Sequence, residues 1–225
     1  VISYISSANI ACGGHAGDIE TMKRTIELAL ENGVKPGAHP GYSDPDNFGR
    51  VETGASVDEI LDDVLNQLSL FKKITDMSHI KFHGALYNRA AADNVMMTKI
   101  LKNIVDEFGC VPIYTLAGSV SERAVLDAGC MLYKEGFADR AYDDTGRLVS
   151  RQFDGAVLDD GEYIAQRVLD IVNGVPIKSI SGKKINIQAN TICVHGDTPG
   201  ALGMAAGIHS HLKENSIFIG RYDAL

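Results

Sequence analysis

Several features that would assign this chain to a class at once are missing or scarce. It has no tryptophan, only four cysteines and six prolines, and 7% aromatic residues among 225 positions. The cysteines (Cys12, Cys110, Cys130, Cys193) show no C-x-x-C spacing and each lies in an apolar segment, so they read as reduced thiols of a cytoplasmic protein. No apolar run approaches the ~18 residues of a membrane span. No basic block occurs, and the net charge of −8 with a pI near 5.3 argues against a nucleic-acid or anionic-membrane partner. A small anionic substrate stays compatible, because net charge says nothing of a local pocket. No G-x-x-x-x-G-K-[ST] loop is present, so there is no ATP phosphate cradle of that kind, and no G-x-G-x-x-G follows the first strand. The chain begins at Val1 without an initiator methionine, which leaves room for a removed signal.

What is present is the composition of a globular protein, 45% hydrophobic and 22% charged. The length suits one large α/β domain. Strand-like runs alternate with helical patterns nearly end to end. Asn9–Cys12, Val34–His39, Ile80–His83, Val111–Leu116, Met131–Glu135 and Thr191–His195 read as strands, and Val175–Gln188 as a hairpin or irregular strand. Asp18 opens a helix with Ile19, Met22, Ile26 and Leu30 at helical spacing. Ser56-Val-Asp-Glu59 is a capping box ahead of Ile60, Val64, Leu68 and Phe71. Asp93–Phe108 and Asp160–Asn173 are helical, Ser119 to Glu122 caps a further helix, and Thr198-Pro199 starts the last. Repeated strand-then-helix units imply a parallel sheet, and the even unit size favours a (β/α) barrel of about seven strands over an open doubly wound sheet.

Four of the seven histidines (His15, His39, His83 and His195) fall at or just beyond the carboxyl end of a strand, the edge where parallel α/β proteins build their active sites. A single such histidine would be read as a hydrogen-bonded core residue; four on one edge make a candidate site. His79, His209 and His211 keep the structural reading. Asn9, Asp18, Asp44, Asp46 and Arg50 lie at the same ends. Lys81 shares a strand face with His83, which predicts a desolvated amine beside an imidazole, and His195-Gly-Asp197 puts a carboxylate near an imidazole before a helix. Cys193 shares a face with His195 and reads as an inert buried thiol rather than a nucleophile.

Five blocks together resemble the LamB/YcsF family: Asn9-Ile-Ala-Cys-Gly-Gly-His-Ala-Gly-Asp18; Gly37-Ala-His-Pro-Gly-Tyr42 with Asn47-Phe-Gly-Arg50; His83-Gly-Ala-Leu-Tyr-Asn88; Glu135-Gly-Phe-Ala-Asp-Arg140 with Tyr142; and Thr191-Ile-Cys-Val-His-Gly-Asp197. The resemblance implies a barrel similar to that of glycoside hydrolases and deacetylases. It also implies hydrolysis of a cyclic amide, the lactam of 5-oxoproline (pyroglutamate), to L-glutamate, coupled to hydrolysis of ATP to ADP and phosphate. ATP with Mg2+ is then expected, held by this chain or by partner subunits, of which the resemblance implies two, B and C. The family pattern opens with a D-x-N-x-D-x-G-E strand and this sequence starts after it, so 1–225 is expected to form a single barrel domain lacking that strand. Phe82, Ser43, Val51 and Ser150 depart from the expected Pro, Pro, Arg and Pro, leaving the His, Asp and Arg positions intact.

The activity so implied sets the expected roles. One of His15, His39, His83 and His195 activates water, oriented by Asp18, Asp139 or Asp197, while Lys81, Arg50 or Arg140 holds the carboxylate or a phosphorylated oxygen. Asn9 and Tyr87 join the substrate contacts. Which imidazole is the base, and whether a metal binds, stay open from sequence. Two other readings compete: a metal-dependent carbohydrate N-deacetylase or amidohydrolase, against which the usual H-x-x-x-H pair is missing, and a non-catalytic scaffold within a larger assembly.

Overall fold

Short runs that bury both faces alternate with segments that bury one stripe, and the computed structural model, which describes residues 1–220, turns the first into parallel strands and the second into helices. Two bodies form, one from Ser7–Thr115 with Ser119–Leu132, the other from Val1–Ser6, Leu116–Gly118 and the described residues after Leu132. The first holds β1 (Ser7–Ala11), α1 (Ile19–Glu31), β2 (Lys35–His39), α2 (Val57–Lys72), β3 (Ile80–Lys81), α3 (Gly84–Ala92), α4 (Asn94–Phe108), β4 (Ile113–Leu116, its last residue counting with the second body) and α5 (Ser121–Asp127). Its strands run parallel in the order β1-β2-β3-β4, with Ala11 opposite His39, Ala38 opposite Ile80 and Lys81 opposite Tyr114.

The second body holds most of β5 (Leu132–Phe137), then α6 (Gly161–Val172), β6 (Ile177–Lys178), β7 (Lys184–Ile185), β8 (Thr191–Cys193) and α7 (Ala201–Glu214). Here β5 pairs parallel with β8, Phe137 opposite Cys193, and β6–β7 is an antiparallel hairpin.

Helix starts follow side-chain chemistry. Asp18, Asp93 and Asp160 accept the N–H groups of Thr21, Met96 and Tyr163 at 2.7, 2.9 and 3.0 Å, and Ser56 and Glu59 close the capping box. Ile60, Val64, Leu68 and Phe71 on α2 and Met96, Ile100 and Leu101 on α4 are buried in the first body. In the second, Ile164, Val168 and Leu169 of α6 share a core with Met204, Ile208 and Leu212 of α7.

The α/β class is as the alternation implies, and four elements differ from the sequence reading. Six strands, not about seven, lie in parallel ladders among the described residues. A separate helix, α3, follows β3 directly, because Gly84 at φ 56° lets the chain turn into the helix-forming run Ala85–Ala92. Ser119 does not cap α5; its hydroxyl bonds Ser121 Oγ at 2.8 Å, and α5 starts without a side-chain cap. Thr198-Pro199 does not open α7 either. Gly200 takes the cap position with φ 81°, and Thr198 Oγ1 reaches Asp139 instead.

One buried side chain organises the end of β5. Arg167, on α6, donates to the carbonyls of Phe137 (2.7 Å), Ala138 (2.9 Å) and Arg140 (2.8 Å), and its guanidinium lies 5.2 Å from the centroid of the Tyr142 ring. The Tyr142 hydroxyl in turn accepts from the Phe137 N–H at 2.7 Å. Those residues are buried, so removing the donor takes a charge-assisted hydrogen bond from each of three buried carbonyls. Arg167→Met is expected to lower the unfolding free energy by about 3–5 kcal/mol in urea denaturation. A loss under about 1 kcal/mol would mean that the carbonyls find other partners.

Candidate active site

In the first body, the carboxyl ends of β2 and β3 and the turn after β1 bring three histidines together. His15, 2% exposed, stacks on His83 with centroids 3.7 Å apart and planes 8° apart, and His39 stands edge-on to both. His39 Nδ1 lies 2.6 Å from the Lys81 carbonyl, His39 Nε2 lies 3.1 Å from His83 Nδ1, and His83 Nε2 lies 2.8 Å from the Phe48 carbonyl. Carbonyl oxygens only accept, so both outer nitrogens must carry protons. The central N···N contact then needs a third, whereas two neutral rings hold two in all. All four nitrogens of this pair are engaged. His15 Nδ1, by contrast, is buried with no hydrogen-bond partner.

The surroundings oppose a full charge on these rings. Burial, helped by the Arg50 charge, pushes His15 down to about 4. Burial and the neighbouring His15, Arg50 and Lys81 charges push His83 down to about 3 against the pull of the Phe48 carbonyl. His39 is held well below its ordinary value by burial and by the Lys81, His83 and His15 charges.

The loop after β2 closes over this cluster. Phe48 sits at φ 54°, a left-handed conformation costing an ordinary residue about 1–3 kcal/mol, aims its carbonyl at His83 and stands T-shaped to the rings of His15 and His83. The Arg50 guanidinium lies 4.8 Å from the Phe48 ring centroid. The loop is pinned by Tyr42, which donates to Glu52 at 2.6 Å, and by Arg89, which donates to Glu52 and to the Ala55 carbonyl. Gln67, buried on α2, holds Gly41 by both backbone groups, accepting its N–H at 3.1 Å and donating to its carbonyl at 2.7 Å.

Lys81 is buried, its ammonium 5.5 Å from the ring centroid of the buried Tyr87. Asn9 is exposed on β1, and its Oδ1 accepts from His79 Nε2 at 2.8 Å; His79 is 1% exposed and stacks on Tyr114 at 4.1 Å. Asp18 is exposed and serves as the α1 cap, where the Thr21 N–H and hydroxyl hold its carboxyl below the usual range.

The second body carries a carboxylate–imidazole pair. Asp139, fully buried, meets His195 Nδ1 with both oxygens at 2.9 Å and accepts from Thr198 Oγ1 at 3.3 Å. Burial raises the carboxyl, but the His195 hydrogen bond and charge, its own N–H and Arg151 outweigh it and keep Asp139 below its ordinary value. An ionised Asp139 requires a proton on His195 Nδ1, so that in the neutral ring the lone pair lies on Nε2, the tautomer a general base needs. Arg140 is buried and donates to the carbonyls of Ala156 (3.3 Å) and Val149, while Asp197 is exposed in the turn before α7. Within their own bodies, then, His15, His39 and His83 meet beside Phe48 and Arg50, and His195 meets Asp139. No three His, Cys, Asp or Glu side chains among the described residues are grouped to hold a metal ion.

Two contributors, Gln67 and Phe48, escape a reading of the sequence alone, and His79, read there as structural, is a buried support for Asn9. Gln67 interrupts the apolar stripe of α2, a signal that was available. His79 continues the alternation His79, Lys81, His83. Phe48 lies inside the Asn47–Arg50 block but acts through its carbonyl and backbone conformation, which residue type does not announce.

The sequence profile of the LamB/YcsF family matches residues 1–224. The chain belongs to the LamB/YcsF family. Among its LamB/YcsF relatives, the 5-oxoprolinase A subunit of Natranaerobius thermophilus is 42% identical over 224 residues, covering 97% of this chain and 87% of the relative. The protein of the same name from Pyrococcus furiosus is 39% identical over 222 residues, covering 96% and 87%. The crystal structure of a lactam utilization protein from Thermus thermophilus superimposes with a TM-score of 0.90 at 31% identity, over 99% of this chain and 91% of that one.

The buried rings of this LamB/YcsF chain predict its acid response. In the unfolded chain the histidines titrate near the ordinary 6.5, whereas the folded protein protonates His15 only near 4 and His79 and His83 only near 3. Between those values the unfolded state binds more protons, so stability complete above about 6.5 declines as the pH falls toward 4 and below. Thermal denaturation across that window is expected to show the melting temperature falling steadily from its upper end. A flat profile would mean that the rings are already charged in the folded state.

Proposed function

We propose that this chain is the A subunit of a 5-oxoprolinase, a hydrolase that opens the lactam of 5-oxoproline to L-glutamate. The observation that carries this reading is the similarity, over nearly the whole chain, to proteins bearing that name. A five-membered lactam is a planar, resonance-stabilised amide that water alone opens slowly. In the proposed reaction, ATP phosphorylates the lactam oxygen, water adds to the activated carbon, and C–N cleavage with loss of phosphate gives glutamate, ADP and phosphate. The cytoplasm, Mg2+ as the nucleotide's counter-ion and 5-oxoprolinase subunits B and C as partners belong to the same proposal.

His195 is the base in this scheme, because Asp139 leaves its Nε2 lone pair for a water proton. Asp139 is a positioning residue. His39 and His83 have no nitrogen to offer without breaking a contact, so they position His15, whose ring makes no hydrogen bond among the described residues. Within the first body, Arg50 places a cation at the edge of the histidine cluster, beside the Phe48 ring.

The test combines the purified chain with 5-oxoprolinase subunits B and C, ATP and Mg2+ and follows glutamate release from 5-oxoproline. Release that needs all components supports the reading. Failure to release glutamate, with liberation of acetate from an N-acetylated sugar, would overturn it in favour of a deacetylase. Asp139→Asn is expected to lower kcat about 100-fold or more with KM little changed, because the amide cannot hold His195 in the required tautomer.

A further inference from the structure

Away from the histidines, the first body holds a pair of thiols that the proposed reaction does not use. Cys110 follows the C-terminal end of α4 and is exposed, while Cys130 precedes β5 and is buried. The two segments that carry them are tied together by the Ile113 N–H donating to the Met131 carbonyl at 2.9 Å. Both sulfurs converge on one acceptor, the Ala128 carbonyl, to which Cys110 donates at 3.7 Å and Cys130 at 3.9 Å. The other two cysteines stand apart from such chemistry. Cys12 is fully buried and bonds its Sγ to the Ile10 carbonyl, and Cys193 is buried on β8.

Two thiols that donate to one carbonyl sit on segments held side by side by a backbone hydrogen bond, the arrangement from which a disulfide can close. One is open to solvent and the other is not, which fixes the order of events. We propose that Cys110 and Cys130 form a reversible intramolecular disulfide, making this a modification site for low-molecular-weight disulfides. The Cys110 thiolate attacks one sulfur of the small disulfide, forming a mixed disulfide and expelling a thiolate that takes up a proton. Cys130, after losing its own proton, attacks the Cys110 sulfur and expels the second small thiol. The protein's two thiols are oxidised to one disulfide, and the small disulfide is reduced to two thiols. Burial and the Cys110 neighbour push the Cys130 thiol up to about 12, so the second step is the slow one and the mixed disulfide accumulates first. The closed loop spans β4 and α5 and restricts the unfolded chain.

The experiment incubates the whole chain with oxidised glutathione, alkylates the remaining thiols under denaturing conditions and maps the peptides without reduction. The expected result is loss of two alkylatable thiols, a cross-linked peptide containing Cys110 and Cys130, a mass two hydrogens lighter, and a melting temperature several degrees higher, all reversed by dithiothreitol. Cys130→Ser is expected to stop at the mixed disulfide on Cys110, and Cys110→Ser to show no disulfide over the same period. A wild-type protein that keeps all four thiols, ends as the mixed disulfide, or links a different pair would overturn the proposal.

Discussion

A backbone carbonyl can accept a hydrogen bond and never donate one, and the first body's histidine cluster is arranged around that asymmetry. Because the Lys81 and Phe48 carbonyls cap the two ends of the His39–His83 pair, the outer ring nitrogens have one allowed protonation state each. The contradiction is pushed to the middle, where two nitrogens face one another at 3.1 Å with one proton too few while the pair stays neutral. A proton that arrived there would complete the chain of hydrogen bonds, yet burial and the Lys81 and Arg50 charges resist it. The pair is thereby balanced between two incomplete solutions, and the neighbouring backbone is shaped to keep it there. Phe48 accepts a left-handed conformation to aim its carbonyl, and Gln67 fixes Gly41 beside the His15 ring.

The second body solves a related problem with a donor. At the end of β5 one guanidinium from α6 donates to the carbonyls of Phe137, Ala138 and Arg140. Asp139 sits within that clamped stretch, so its carboxylate meets the His195 ring from a segment with little freedom to drift. Packing of α6 against α7 fixes the clamp, which connects an ordinary helix–helix core to the tautomer of a histidine.

Much of this is legible in the residues themselves. The alternation of strands and helices, the Ser56–Glu59 capping box and the aspartate caps of α1, α4 and α6 follow from local chemistry that tertiary contacts do not override. The gathering of His15, His39 and His83 follows from their common place at strand ends. The failures have physical causes too. Asp18 reads both as the opening of a helix and as a site carboxylate, and the first of these is the contact it makes, capping α1. Thr198 reads as a helix cap, whereas a buried carboxylate offers it a better partner. Arg140 reads as an anion holder, and what residue type does not announce is that it also donates to the carbonyls of Ala156 and Val149 in its own body. What sequence does not carry is the role of main-chain atoms: the Phe48 carbonyl and the Arg167 clamp involve groups that every residue possesses.

Gly84 and Gly49 show how such main-chain contacts bind distant segments together. A side chain at Gly84 would meet the Gly49 carbonyl at 2.3 Å, the same carbonyl that accepts the Ala85 N–H at 3.0 Å, and a side chain at Gly49 would press on His15 at 2.8 Å. The loop after β2 and the start of α3 are therefore one fitted joint made from two stretches far apart in the chain. Exchange either stretch for one that carries a side chain at its glycine, and the joint cannot close as it stands. For anyone recombining such chains, both glycines have to travel with the segments that meet at them.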